Sequence, residues 1–186
     1  FQKKIINEAN QNLWQFLNQR KCHLSKKEIF FTKAGKINSV HNFSKWPYAN
    51  KLRKNSDLNK IVTSLLGQRS KDFGAELFAK PEKTGLPAPI HQDNYYWNLK
   101  NPDAITMWIA LTPATKKNGT LEYLVGSHKL GKVPHEASYA PGSSQKVKNL
   151  RKYSKFKKRS FNLKIGDCLI HHCEIIHGSQ PNKSNN

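Results

Sequence analysis

The sequence predicts an α+β chain, mainly β, whose core is a β-sandwich or jelly roll with N-terminal helices packed on one sheet. Three observations carry this. Helical periodicity comes first in the chain, short apolar runs of strand length follow, and Gly and Pro turns punctuate those runs. At 186 residues the chain fits one domain with a core large enough to need no staples. Within that domain, 1–75 form a helical and hairpin part and 76–186 the sheet core.

From Ile5 to Arg20 the apolar residues Ile5, Ile6, Ala9, Leu13, Trp14, Phe16 and Leu17 fall on one helical stripe, suited to the outside of a sheet. Glu28 to Phe31, the turn around Gly35, and Ile37 to Val40 read as strand, turn, strand. A second helix is expected over Asp57 to Leu66, capped by Ser56 or Asp57 and stopped by Gly67. Glu76 to Ala79 starts a strand, after which Pro81, Pro87 and Pro89 break the chain into loop. Ala104 to Leu111 and Thr120 to Val125 are strands with the turn signal Asn118-Gly119 between them. Pro134-His135 and Gly142 to Gln145 read as a mobile lid loop, and Lys146 to Arg159 as an exposed, Lys-rich helix or loop. Phe161 to Ile165, Gly166-Asp167 and Cys168 to His172 read as a hairpin.

The formal charge of +20 is almost entirely Lys, with Arg only at 20, 53, 69, 151 and 159. Nucleic-acid readers lean on Arg for bidentate contacts. Abundant Lys, Asn and Ile together match an AT-rich coding sequence, so the charge is assigned to codon bias rather than to a nucleic-acid partner. An anionic small substrate is compatible with it. No run of about 18 apolar residues occurs, which excludes a membrane-spanning helix, and Lys3, Lys4 and Glu8 interrupt what a signal peptide would keep apolar. Cys22, Cys168 and Cys173 cannot pair completely and are read as reduced thiols in a cytoplasmic protein.

Chemistry concentrates in His91-Gln92-Asp93. On a strand, residues two apart share a face, so an imidazole and a carboxylate converge on one ion. A second histidine from elsewhere would complete a two-histidine, one-carboxylate set that leaves adjacent coordination positions open, the arrangement of non-haem Fe(II) oxygenases. A His-x-Asp alone is common by chance, and it gains weight only from its surroundings.

Those surroundings are Pro89-Ile90-His91-Gln92-Asp93, Thr106 to Leu111, Asn118-Gly119-Thr120-Leu121, Val125-Gly126-Ser127-His128, and Gly166 to His172 leading into Ile176-His177-Gly178-Ser179. In this order they resemble the phytanoyl-CoA dioxygenase family, over about Phe78 to Asn182. The resemblance implies a double-stranded β-helix, or cupin-like jelly roll, and Fe(II) held by His91, Asp93 and His177. It also implies 2-oxoglutarate as cosubstrate, contacted by Trp108 and Ser179. Thr106 shares a strand face with Trp108 and so lines the same pocket. Because Asp93 is present, where related halogenases carry a small residue, the implied reaction is hydroxylation with release of succinate and CO₂. His172 is read as either supporting the site or purely structural, with His171 on the opposite strand face. His128 is read as closing a turn, and His23, His41 and His135 as unrelated to metal.

A 2-oxoglutarate pocket also needs a cation for the far carboxylate, best supplied by a guanidinium. In the family that Arg lies shortly after the distal histidine, and the chain stops at Asn186 before reaching it. Either the sequence is a fragment of a longer protein, with the closing strand missing and a sheet edge left open, or the anchor comes from elsewhere. Tyr95, Tyr96 and Trp97 are candidates for the substrate mouth or for core and rim packing, and Lys80 reads as a solvated lysine before it reads as a contact to an anionic substrate group. Three rival readings stand beside the oxygenase: a non-catalytic cupin-like metal binder, an inactive relative, and a basic nucleic-acid-binding module.

Overall fold

The computed structural model describes residues 3–20, 25 and 27–186, so Cys22 and His23 lie outside the described residues. Helix α1 (Lys3–Arg20) buries Ala9, Leu13 and Leu17, spaced to fall on one stripe, as expected. That stripe packs on a three-stranded antiparallel sheet of β1 (Ile29–Phe31), β2 (Ile37–Val40) and β3 (Leu77–Phe78) through Ile29, Val40 and Leu77. Phe43, Trp46 and Ala49 close the same cluster. A short helix, α2 (Pro47–Arg53), was not expected, although Pro47 at its first position is the signal for it. Helix α3 (Ser56–Leu66) is capped by neither Ser56 nor Asp57. Asn55 is the cap, its side chain accepting from the backbone N–H groups of Asp57 and Leu58, and Gly67 ends the helix at φ 67°.

The core consists of two antiparallel sheets. One has four strands in the order β4 (Ala88–His91), β11 (His177–Ser179), β6 (Leu121–Leu124) and β9 (Lys158–Ser160). The other pairs β5 (Ile105–Ile109) with β10 (Cys168–His172). Among the described residues, β5 has no strand on its other edge. Tyr123 of β6 reaches His171 of β10 across the space between the sheets, and the isolated bridge Ala114–Leu163 joins their ends.

The expected hairpin of Phe161–Ile165 with Cys168–His172 does not form. β10 pairs instead with β5, and Ala110 and Gly166–Asp167 exchange backbone bonds where the chain enters it. The Asn118-Gly119 turn likewise carries the chain from one sheet to the other rather than joining paired neighbours. Gly119 sits at φ 89°, and a Cβ there would lie 2.5 Å from the Gln180 carbonyl, so the crossing requires glycine. The expected lid is a hairpin, β7 (His135–Ala140) with β8 (Ser143–Val147). The Lys-rich stretch is not one exposed segment either: it contains the end of β8, a single 3₁₀ turn (Leu150–Tyr153) and most of β9, and Tyr153 and Phe156 pack on Val133, Val147 and Ile176.

Candidate metal centre

His91 ends β4 and His177 begins β11, and the two strands pair so that these residues stand opposite each other. Their rings lie 4.5 Å apart. Gly178 permits this closeness: a Cβ there would meet the Ala88 carbonyl oxygen at 2.8 Å. Asp93 is not on the strand, as the His-x-Asp spacing suggested. The chain turns into helix α4 (Asp93–Trp97) and the carboxylate projects from its first residue. The outcome for the ligands is the same, because one donor atom from each of His91, Asp93 and His177 falls within 4.8 Å of the others.

The tautomers follow from the partners. His91 Nδ1 faces the Pro89 carbonyl at 2.6 Å and His177 Nδ1 the Ile175 carbonyl at 3.0 Å. A carbonyl only accepts, so each Nδ1 carries a proton and Nε2 is the ring nitrogen left to face a metal. Those two nitrogens lie 3.5 and 3.6 Å from Asp93 Oδ1. Three ligand atoms thus converge, an arrangement that a shared cation stabilises. Burial pushes the His177 imidazole down to about 3, so at neutral pH it stays an uncharged donor. Burial alone would raise the Asp93 carboxyl, but the surrounding histidines, His177 first among them and His171 through a hydrogen bond, outweigh it and hold it well below the usual carboxylate range.

The second carboxylate oxygen is already occupied. Thr106 Oγ1 donates to Asp93 Oδ2 at 2.6 Å, and His171 Nε2 lies 3.2 Å from the same atom. Its Nδ1 accepts from the Tyr123 hydroxyl at 3.0 Å, whose proton burial keeps in place by pushing the phenol's pKa up. Oδ1 is therefore left for a metal, which fits one-oxygen ligation with open positions beside it. Thr106→Val removes one of the two hydrogen bonds that orient the carboxylate. Metal affinity measured by equilibrium dialysis should fall roughly 10–100-fold while the fold persists.

Two expectations about histidines are corrected here. His171, not His172, faces the centre, because it stands opposite Thr106 in the β5–β10 register; His172 points away and packs on His128. His135 is not unrelated to the site. Its Nε2 accepts from the Gln92 backbone N–H at 3.1 Å, between two ligands, and its ring stacks on Tyr95 at 4.1 Å. His41 hydrogen-bonds Glu76 in the N-terminal part. Lys80 reaches no substrate position: its ammonium donates to the carbonyls of Leu86 and Gln180 at 2.7 Å each, and burial lowers it to about 8.

Gln92 is the residue that sequence reasoning passed over. Its side chain is fully buried and bonds three backbone groups, at Gly131, Val133 and Glu174. Trp108 stands opposite Leu169 and packs towards Ala110, Ala114 and Leu163. Ser179 is buried on β11, its hydroxyl accepting from Ala88 N–H. Tyr96 sets its ring edge on His91 at 5.7 Å and bonds β8 through Ser143 and Gln145, while Trp97 turns to Phe73.

A two-histidine, one-carboxylate cradle between facing antiparallel sheets defines the class of non-haem iron oxygenase sites. The model of the Phytanoyl-CoA dioxygenase (PhyH) family matches residues 6–186, and the chain belongs to that family. It is 28% identical over 134 residues to the human peroxisomal phytanoyl-CoA dioxygenase, covering 69% of this chain and 40% of that protein. It is 25% identical over 192 residues to a probable phytanoyl-CoA dioxygenase of Caenorhabditis elegans, covering 98% and 60%. Among solved structures, EctD from S. alaskensis with 2-oxoglutarate and 5-hydroxyectoine superposes with a TM-score of 0.80 at 20% identity, over 100% of this chain and 65% of that one. The carbocyclase SnoK from nogalamycin biosynthesis gives 0.79 at 21%, over 100% and 72%. These likenesses establish the double-stranded β-helix fold. The chain spans about 40–60% of the length of the two curated relatives described. No helix among the described residues is long and apolar enough to cross a membrane.

Proposed function

We propose that this chain is the catalytic part of an Fe(II)- and 2-oxoglutarate-dependent dioxygenase that hydroxylates a small organic substrate, releasing succinate and CO₂. The observation that carries the reading is the convergence of two Nε2 atoms and one free carboxylate oxygen, with the other carboxylate oxygen held by Thr106 and His171. His91, Asp93 and His177 hold the metal. Bound there, Fe(II) supplies, with 2-oxoglutarate and O₂, the oxidising power for C–H hydroxylation. The protein's own part is to keep the donors neutral or singly charged, to orient them, and to exclude water. Trp108, Ser179 and Thr106, on β5 and β11, form the cosubstrate side. Ser179 accepts from a backbone N–H and keeps its own proton for an anionic oxygen. Relatives whose names specify hypophosphite as well as phytanoyl-CoA warn against carrying either substrate over.

The test is succinate formation by the purified chain supplied with Fe(II), 2-oxoglutarate and air, followed by mass spectrometry. The expected result is metal-dependent succinate, slow without the true substrate. Succinate no higher than in a metal-free control would overturn the reading.

A further inference from the structure

Beside the metal centre lies a cavity of about 270 Å³. Tyr123 and His171, the pair that reaches Asp93, form part of its wall. Most of the remaining wall is apolar, with Val125, Phe161 and Leu169 among the side chains. One member of the lining differs from all the others: Arg159 is its only Lys, Arg, Asp or Glu.

The register explains why Arg159 is there. It stands directly opposite Tyr123 in the β6–β9 pairing, and directly opposed residues share a sheet face. Tyr123 points inward to His171, so Arg159 is presented on the same inner face, one strand further from the metal. Among the described residues its guanidinium has no hydrogen-bonding or ion-pair partner, whereas that of Arg53 is paired with Asp72. Thr106, Trp108 and Ser179, the proposed cosubstrate side, do not line this cavity.

We infer that this cavity is the substrate pocket and that Arg159 is its carboxylate-binding residue, so that the substrate class is a small acid with an apolar body. The inference rests on the oxygenase reading for the word substrate, but the binding chemistry stands on the cavity itself. A guanidinium offers a planar fork that matches a carboxylate bidentately, and here no protein carboxylate competes for it. The apolar wall would take the rest of the molecule, with Tyr123 and His171 the groups of the metal centre that face it. The volume lies just below the roughly 300–1,000 Å³ of pockets for drug-sized ligands, which suits a molecule of the size of phenylacetate or hexanoate.

The test compares phenylacetate with phenylacetamide, equal in shape but uncharged, by ligand-observed NMR titration with and without Mn(II) and 2-oxoglutarate. Phenylacetate should bind about tenfold or more tightly than the amide. Arg159→Met should bring the acid down to the level of the amide and leave the amide unchanged, with Arg159→Lys intermediate. Arg159 is exposed, so the variants should melt with the wild type. No difference between acid and amide, including no binding of either, overturns the inference, as does a loss shared equally by both. A parallel titration of 2-oxoglutarate into the Mn(II)-loaded protein should be unaffected by Arg159→Met. If that affinity falls instead, while phenylacetate binding does not, Arg159 serves the cosubstrate and the substrate assignment is wrong. Failure of the wild type to bind 2-oxoglutarate with metal would count against the oxygenase reading alone.

Discussion

Replacing His177 with alanine is expected to abolish stoichiometric Fe(II) binding, and with it all succinate formed from 2-oxoglutarate. The site has three donors, and His177 is the one that both its strand neighbours position: it pairs with His91 on β4 and with Tyr123 on β6. Removing it leaves one nitrogen and one carboxylate oxygen, a set too small to hold a labile divalent ion against water. The loss should therefore exceed the roughly 10–100-fold caused by removing a residue that merely supports a ligand. Because burial keeps this imidazole neutral, with its protonation pushed down to about 3, alanine removes no charge from the interior. The stability cost is that of a small cavity and the orphaned Ile175 carbonyl, about 1–3 kcal/mol. Equilibrium dialysis against Fe(II) under nitrogen, with circular dichroism to verify folding, separates the two effects. A folded variant that still retains one Fe(II) would sink the three-ligand centre.

The convergence of His91, Asp93 and His177 was legible because its chemistry is written in residue type: His-x-Asp is local, and His177 falls in a block that matches a known pattern. The phase of β10 was not. Strand periodicity says that His171 and His172 face opposite ways, but Cys168 to Ile170 is apolar on both faces, so nothing in the residues says which histidine faces in. Only the long-range pairing of His171 with Thr106 decides it. The same blindness to distant partners produced the false hairpin: Phe161–Ile165 lies next in sequence, whereas β5 lies some sixty residues away, yet β5 is the strand that β10 meets. The β7–β8 hairpin was missed for another reason. His135–Ala140 and Ser143–Val147 carry few apolar residues, so no alternation marks them as strands, and their order comes from backbone pairing and from Tyr96.

Gln92 teaches the complementary lesson, since its importance lies in which backbone groups it satisfies. Gln92→Leu is expected to destabilise the fold by about 3–6 kcal/mol, out of a total of about 5–15 for a domain of this kind. The amide donates to the carbonyls of Gly131 and Glu174 at 2.8 and 2.6 Å, and its oxygen accepts from Val133 N–H at 2.8 Å. These groups belong to the segment before β7 and to the link from β10 to β11, so one side chain ties both to the junction that carries His91 and Asp93. Leucine fills the same volume and leaves three backbone groups without partners. Urea denaturation measures the loss, and metal affinity far below the unfolding transition should fall as well, because the Glu174 link leads directly to His177. Gln92→Glu gives the sign a second test. A buried carboxylate facing two carbonyls has its folded-state protonation raised above about 4.3, the unfolded value. The folded state then holds the proton that the unfolded chain has lost, so stability declines as pH rises from about 4.3 through the folded value. The glutamate variant should accordingly be more stable at pH 5 than at pH 7 when each is referred to the wild type. Equal stability at the two pH values would mean that the side chain at 92 escapes to water, and that the three bonds do not hold the metal-bearing segments together.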